Sequence, residues 1–460
     1  MTNEERIRAA WQGRISGCLL GKPVEMISMR EGPQGLNTFL QDSGSLPLRN
    51  YVNYMEHELL RGANKRCCLG MMERAEVDDD ITYLVLALMM MEQYGLDLST
   101  DDVARSWINL LPVGATFTAE RDSYLKLIEK SNMAYQFGGP RSFDLEEIND
   151  GEYNDWIGAQ IRIDMYGWLL PGKPKLAADL ARRDAMLSHR SCAVEASAYI
   201  AALCALVPVS SSREEAVKAA LDFIEKDSLA YEAVEVGIKY KNEPASNLHQ
   251  HYGDMSPVHS LNNLAVVVWA FLSFQDSFDE AIGETICCGW DTDCTGATVG
   301  SILGLRLGAK NLPSKWISPL NDQLKSVVRD ENDNKISELA KRTLSVAETI
   351  LEQKDHKAAG LQEQNTESVN ASFGTWELEA GWGHMILCFE KGEIDFINDG
   401  YDPYPIVSSS YNNPELKFSF GIDKGGWDFE IDFEGTIDGD KLEGIFHMMD
   451  TPVKGHRISK

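Results

Sequence analysis

Apolar residues recur with the period of a helix up to residue 353 and with the period of a strand from residue 373. In residues 5–20, Ile7, Ala10, Trp11, Ile15, Cys18 and Leu19 share one helix face. Gly17, Gly21 and Pro23 then break the helix and present Glu25 on a turn, where these residues alone favour a solvated loop carboxylate. Residues 26–75 carry glycines, prolines and few periodic runs, so they read as a loop or lid. Residues 81–94 are apolar on nearly every side and predict a buried helix. Helical periodicity returns at 101–110, 119–131, 176–187, the alanine-rich 193–207, 211–225, 229–240, 262–274, 278–288, 298–307 and 336–353. Gly300, Gly304 and Gly308 stand four residues apart and predict close helix packing. Residues 137–140 predict a turn, and 247–258 are polar and turn-rich.

The texture changes after residue 353. Residues 354–372 are polar and aperiodic, which predicts a linker. Short alternating runs follow at 375–379, 385–389, 394–397, 416–420, 429–433 and 445–448, separated by Asn/Asp/Gly turns. The expected architecture is mainly α: an all-α domain over 1–353, a linker over 354–372, and a small antiparallel β barrel or sandwich over 373–460. The β unit reads as a structural or partner-binding module, with Trp382 or Trp427 as a conceivable carbohydrate-facing aromatic.

Composition adds exclusions. A formal net charge of -28 argues against general binding to nucleic acid or anionic membranes. No apolar run reaches the ~18 residues of a spanning helix, and the N-terminus lacks the basic and apolar regions of a signal peptide. The nine cysteines show no disulfide-scaffold spacing, which fits reduced thiols and a cytoplasmic location. His249, His251 and His259 suggest a transition metal, but no cysteine or carboxylate completes a zinc spacing.

Two acidic knots carry the chemistry. Asp78, Asp79 and Asp80 precede the buried helix of 81–94. Asp291 and Asp293 sit in an uncharged, small-residue stretch between apolar segments. One aspartate would suffice as a helix cap. Three beside a buried helix, with two more in an apolar setting, call for a cation. Carboxylates suit Mg²⁺, Mn²⁺ or Ca²⁺. Five are too many for one Mg²⁺ that keeps water, so two ions sharing a bridging carboxylate are expected. The Gly158-Ala159 pair before Arg162 offers a helix start for a phosphate, and His189 lies between two small-residue helices.

These motifs resemble, in order over residues 5–320, the ADP-ribosylglycohydrolase family, which includes the hydrolase that reactivates dinitrogenase reductase. The segment from Trp11 to Glu25 resembles the family's N-terminal helix and glutamate-bearing turn. Asp78-Asp79-Asp80 falls where the family has Thr-Asp-Asp. Gly158 to Arg162 resembles its phosphate-cradling segment, Ser188-His189 its Thr-His, and Gly289 to Cys294 its Gly-Gly-Asp-Thr-Asp-Thr. The resemblance implies an orthogonally packed all-α domain with a dinuclear Mg²⁺ centre. That centre would hydrolyse the anomeric bond of an ADP-ribosyl group or related N- or O-riboside, on a protein or a small molecule. It further implies Glu25 as the catalytic residue, gating the site or acting as general base, Asp78, Asp79, Asp80, Asp291, Asp293 and Cys294 around the metals, and Gly158, Ala159, Arg162 and His189 toward the substrate. Asp78 and Cys294 stand where the family carries hydroxyl ligands, and Ile157 where it carries Asn. A catalytically silent protein binding ADP-ribose or a partner is the competing expectation.

Overall fold

The computed structural model describes residues 1–136, 141–274, 277–359, 374–380, 383–390, 393–398, 404, 406–412, 414–424, 427–447 and 450–459; the expected turn at 137–140, residues 360–372 of the expected linker and Trp382 lie outside them. The chain forms two compact units, Met1–Glu129 with Leu145–Ala358, and Lys130–Asp144 with Ala359–Lys460. The helix Ile336–Ala359 runs past residue 354, where the linker was expected to start.

The first unit is helical. Its interior is framed by α1 (Asn3–Gly21), α2 (Glu25–Asp42), α3 (Asp79–Tyr94), α4 (Ser191–Leu206), α5 (Ser260–Ser273), α6 (Phe278–Cys288) and α7 (Thr292–Leu307). A Thr2–Glu5 capping box opens α1. Helices α3, α4, α5 and α7 bury most of their residues, which accounts for apolar character on every side.

Helices α1 and α7 pack antiparallel with their backbones in contact. A methyl group on Gly17 would lie 1.9 Å from Gly296 O, one on Gly13 2.1 Å from Gly300 O, and one on Gly304 2.2 Å from Ala9 O. Any side chain there would force the helices apart. The four-residue glycine spacing therefore acts as predicted at Gly300 and Gly304. Gly308 does not take part: it is the left-handed C-cap of α7, at φ +79°. This packing brings the end of α1 onto the start of α7, where a methyl on Gly21 would meet Thr292 O at 2.4 Å.

Two segments differ from expectation. Helix α2 lies within the stretch expected to be a loop. Gly32 (φ +70°) and Pro33 kink it, and the interruption hides the helical spacing of Ile27, Leu36, Phe39 and Leu40. Helix α7 starts at Thr292 rather than 298, because residues 292–297 are small, polar and buried and carry no apolar period. Strands β1 (Gln323–Lys325) and β2 (Asp333–Lys335) form a small hairpin.

The second unit holds one antiparallel sheet of β3 (Gly374–Ala380), β4 (Gly383–Glu390), β5 (Glu393–Asn398), β6 (Ile406–Asn412), β7 (Glu415–Lys424), β8 (Trp427–Asp438), β9 (Lys441–Phe446) and β10 (Thr451–Ser459). Their spatial order is β5-β4-β3-β10-β9-β8-β7-β6. Trp376, Leu378, Leu387, Phe418, Phe420, Phe433 and Phe446 pack on its inner face. The N–H of Tyr404, just before β6, donates to Ile397 O of β5 at 2.8 Å, so the two edge strands curl toward each other. The expected barrel or sandwich is thus a single curled sheet. Strands β6 and β10 have no counterpart in the sequence pattern. The first contains three serines, and the second carries Pro452, Lys454, Gly455 and His456 among few apolar residues.

Among the described residues no helix is long and apolar enough to cross a membrane. Cys18, Cys67, Cys68, Cys192, Cys204, Cys287, Cys288 and Cys294 are free thiols.

Candidate active site and metal centre

Both acidic knots open into one cleft of about 650 Å³ in the helical unit, lined by Glu25, Asp78, Asp79, Asp291, Asp293 and Cys294 with Phe117, Trp156, Gly158 and Val258. Its volume falls in the range of small-molecule sites. The first knot is the start of α3. Asp78 is the N-cap, its Oδ1 accepting the Asp80 N–H at 3.0 Å. The second knot is the turn from α6 to α7. Gly289 and Trp290 both adopt left-handed backbone, at φ +84° and +58°. Such a conformation is costly for tryptophan, by roughly 1–2 kcal/mol. Its neighbours hold it there. Ser28 Oγ donates to Trp290 O at 2.8 Å, and the indole packs on the His249 ring at 4.0 Å between centroids. The turn sends Asp291 and Asp293 into the cleft beside Glu25 at the start of α2.

The donor atoms of Glu25, Asp291 and Asp293 lie within 4.8 Å of one another, as do those of Asp80, Asp293 and Cys294, and those of Cys18, Asp78 and Asp80. Asp291 Oδ1 and Asp80 Oδ2 are buried without a hydrogen-bond partner. Buried carboxylate oxygens left unpaired inside a cluster of like charge fit a divalent cation, and hard oxygen donors fit Mg²⁺ or Mn²⁺. Cys294 is the weak member, since burial and then Asp291 and Asp80 push its thiol well above the usual range and keep its proton on.

Two protein cations enter the cluster. Arg14, fully buried on α1, donates to Asp80 Oδ1 at 2.9 Å and to Asp164 Oδ2 at 2.8 Å. Lys22, in the turn between α1 and α2, ion-pairs with Asp78 Oδ2. Burial alone would raise Asp78, but Lys22 overrides it and holds this carboxyl below its ordinary value. Asp78 in turn keeps the buried Lys22 ammonium well above its usual range. Burial, reinforced by neighbouring carboxylates, pushes Asp79, Asp80 and Asp291 well above the usual carboxylate range and raises Asp293. Glu25 is likewise pushed well up, by burial and then by Asp293, Asp78 and Asp79.

Of the residues expected on the substrate side, only Gly158 lines the cleft. Ala159 is fully buried. Arg162 lies behind the wall, donating to Asp184 Oδ1 and Glu120 Oε1, both at 2.8 Å, and stacking on Trp107. His189 is fully buried beside it, sharing a 2.8 Å hydrogen bond with Ser188 Oγ. The three histidines of 249–259 do not converge. His249 bonds to Cys288 O, His251 packs on Tyr252, and His259 meets Asp155 and Cys192.

Sequence reasoning missed Lys22, Arg14, Glu120 and Asp164. Lys22 and Arg14 had a legible signal, each being a lone cation among apolar and small residues. Glu120 and Asp164 are recognisable only through the arginines that reach them from distant segments.

The ADP-ribosylglycohydrolase family model matches residues 1–355. Over 105 residues the chain is 29% identical to the ADP-ribosyl-[dinitrogen reductase] glycohydrolase of Rhodospirillum rubrum, a match taking in 21% of this chain and 35% of that protein. The chain thus spans about a third of that relative's length. A solved structure described as an ADP-ribosylglycohydrolase-related protein complex aligns with 76% of this chain and 99% of its own, at 18% identity and a TM-score of 0.47.

Proposed function

The chain belongs to the ADP-ribosylglycohydrolase family, and from that membership we propose that it is a divalent-metal-dependent hydrolase of the bond at the anomeric carbon of an ADP-ribosyl group. One observation carries the reading. Carboxylates from the starts of α2, α3 and α7 meet on one cleft floor, with Asp291 Oδ1 and Asp80 Oδ2 buried and unpaired.

Asp79, Asp291 and Asp293 would hold the cation, with Asp80 held in place by Arg14. A bound Mg²⁺ or Mn²⁺ supplies positive charge that orients ribose hydroxyls and acidifies a water. Glu25, at the start of α2 beside Asp291 and Asp293, accepts the proton of the water that attacks the anomeric carbon. The bond to the leaving nitrogen or oxygen breaks with its electron pair going to that atom, which then takes up the proton. Phe117, Trp156 and Val258 offer apolar and aromatic surface to a base. Arg162 and His189 act as positioning residues, keeping the Gly158 wall in register from behind.

A specific observation favours a second reading, in which the substrate is a riboside without a diphosphate. The Glu120 carboxylate presses under Gly158, where a methyl would lie 2.0 Å from Oε1, and Lys22 is the only lysine or arginine among the lining residues. Glu120 and Asp184 share the single charge of Arg162, so the expected phosphate turn offers an anion no spare counter-charge.

The test is incubation with Mg²⁺ and ADP-ribosyl-arginine, ADP-ribosyl-serine or simple nucleosides, scoring release of ADP-ribose or ribose. Turnover lost in Asp291→Ala is the expected result. Binding of ADP-ribose without turnover on any of these, with Glu25 intact, would instead indicate a silent binder.

A further inference from the structure

We infer that the Lys22 ammonium fills one of the two cation positions of the acidic cluster, so that the site takes up one divalent ion per chain, on the side of Glu25, Asp291 and Asp293. The inference rests on the metal-dependent reading above and sharpens it.

Lys22 is held firmly where it is. Its backbone carbonyl accepts the Asn64 side-chain amide at 3.1 Å, its side chain is 12% exposed, and its ammonium ion-pairs with Asp78 Oδ2. The other Asp78 oxygen caps α3 through the Asp80 N–H. Neither Asp78 oxygen is therefore left without a protein partner. Asp80 already commits Oδ1 to Arg14. The donor group of Cys18, Asp78 and Asp80 thus has a fixed ammonium on one of its own donor atoms, Asp78 Oδ2. Beyond the unpaired Asp80 Oδ2, its remaining donor is a buried thiol, a poor partner for a hard cation. A dication added there would be repelled by Lys22 at close range in a poorly solvated setting.

The other side of the cluster is different. Among the described residues, none of Glu25, Asp291 and Asp293 forms an ion pair with a lysine or arginine, and Asp291 Oδ1 is buried and unpaired. That side has negative charge and donor atoms to spare. The extra carboxylate of Asp78 and the lysine that neutralises it thus belong together, and the cluster keeps its charge balance with one ion fewer than its carboxylates suggest.

The experiment is a count of bound Mn²⁺ on the full chain by native mass spectrometry and calorimetric titration, with electron paramagnetic resonance of the loaded protein. The wild type is expected to bind one Mn²⁺ and to show the spectrum of an isolated ion. Lys22→Met, of similar length but uncharged, is expected to bind two, with the broadened spectrum of a coupled pair. Lys22→Arg, which keeps the charge, stays at one. Two tight ions in the wild type would overturn the inference and leave the metal-dependent reading intact. One ion in both the wild type and a folded Lys22→Met would also overturn it, since Lys22 would not set the count. No bound ion in the wild type would overturn both.

Discussion

At the level of single residues, burial decides what each charge does. Arg162 resembles a substrate-side arginine in sequence, yet it satisfies Glu120 and Asp184 inside the wall. Replacing it by Met leaves both carboxylates buried without a counter-charge, Asp184 keeping only the Tyr166 hydroxyl at 2.6 Å. A loss of about 3–5 kcal/mol in urea unfolding is expected, because breaking a buried pair strands its partner. His189 offers a pH test. Burial and then Arg162 hold its pKa well below the usual value, so the folded chain keeps it neutral. Below the ordinary histidine value of about 6.5 the unfolded chain binds a proton that the folded chain refuses, and stability falls as pH falls. His189→Gln lacks this term. The stability of wild type relative to the variant should therefore drop by about 1 kcal/mol between pH 6.5 and 5.5, as read from paired denaturation curves; an unchanged difference would contradict it.

At the level of elements, the contact of α1 with α7 builds the site. Gly17, Gly296, Gly13 and Gly300 let two backbones touch, and this carries Lys22 and Glu25 to Asp291 and Asp293. Gly17→Ala must push the helices apart, since its methyl would lie 1.9 Å from Gly296 O. A cost near the upper end of about 1–3 kcal/mol is expected, together with weaker Mn²⁺ binding, while Gly114→Ala, which faces open space, should change stability by less than about 0.5 kcal/mol. The glycine spacing on α7 was legible in the sequence, but its partner helix was not. Spacing along one helix says that something approaches closely without saying what. Helix α2 and strands β6 and β10 were illegible for a local reason, since Gly32-Pro33, serines and a proline dilute the apolar period that marks an element.

For the whole molecule, the acidic cluster leaves the metal-free chain with self-repulsion inside its own cleft, on top of a net charge of -28. An ion that binds only the folded state adds stability by mass action. Mg²⁺ or Mn²⁺ at a hundred times its dissociation constant should raise unfolding free energy by about 2.7 kcal/mol. The shift should be reversed by chelator and absent in Asp291→Asn, as a thermal melt with and without the ion would check.

Legible in the sequence were the helical and β character of the two parts, the two acidic knots, and the resemblance that the family match bears out. Each of these is written in local period or in a short run of residue types. The tertiary structure alone decided which charges answer one another. Lys22 neutralises Asp78, Arg14 steadies Asp80, and Arg162 turns away from the cleft toward Glu120 and Asp184. Those pairings join segments far apart in the chain, and their strength comes from burial, which no local pattern records.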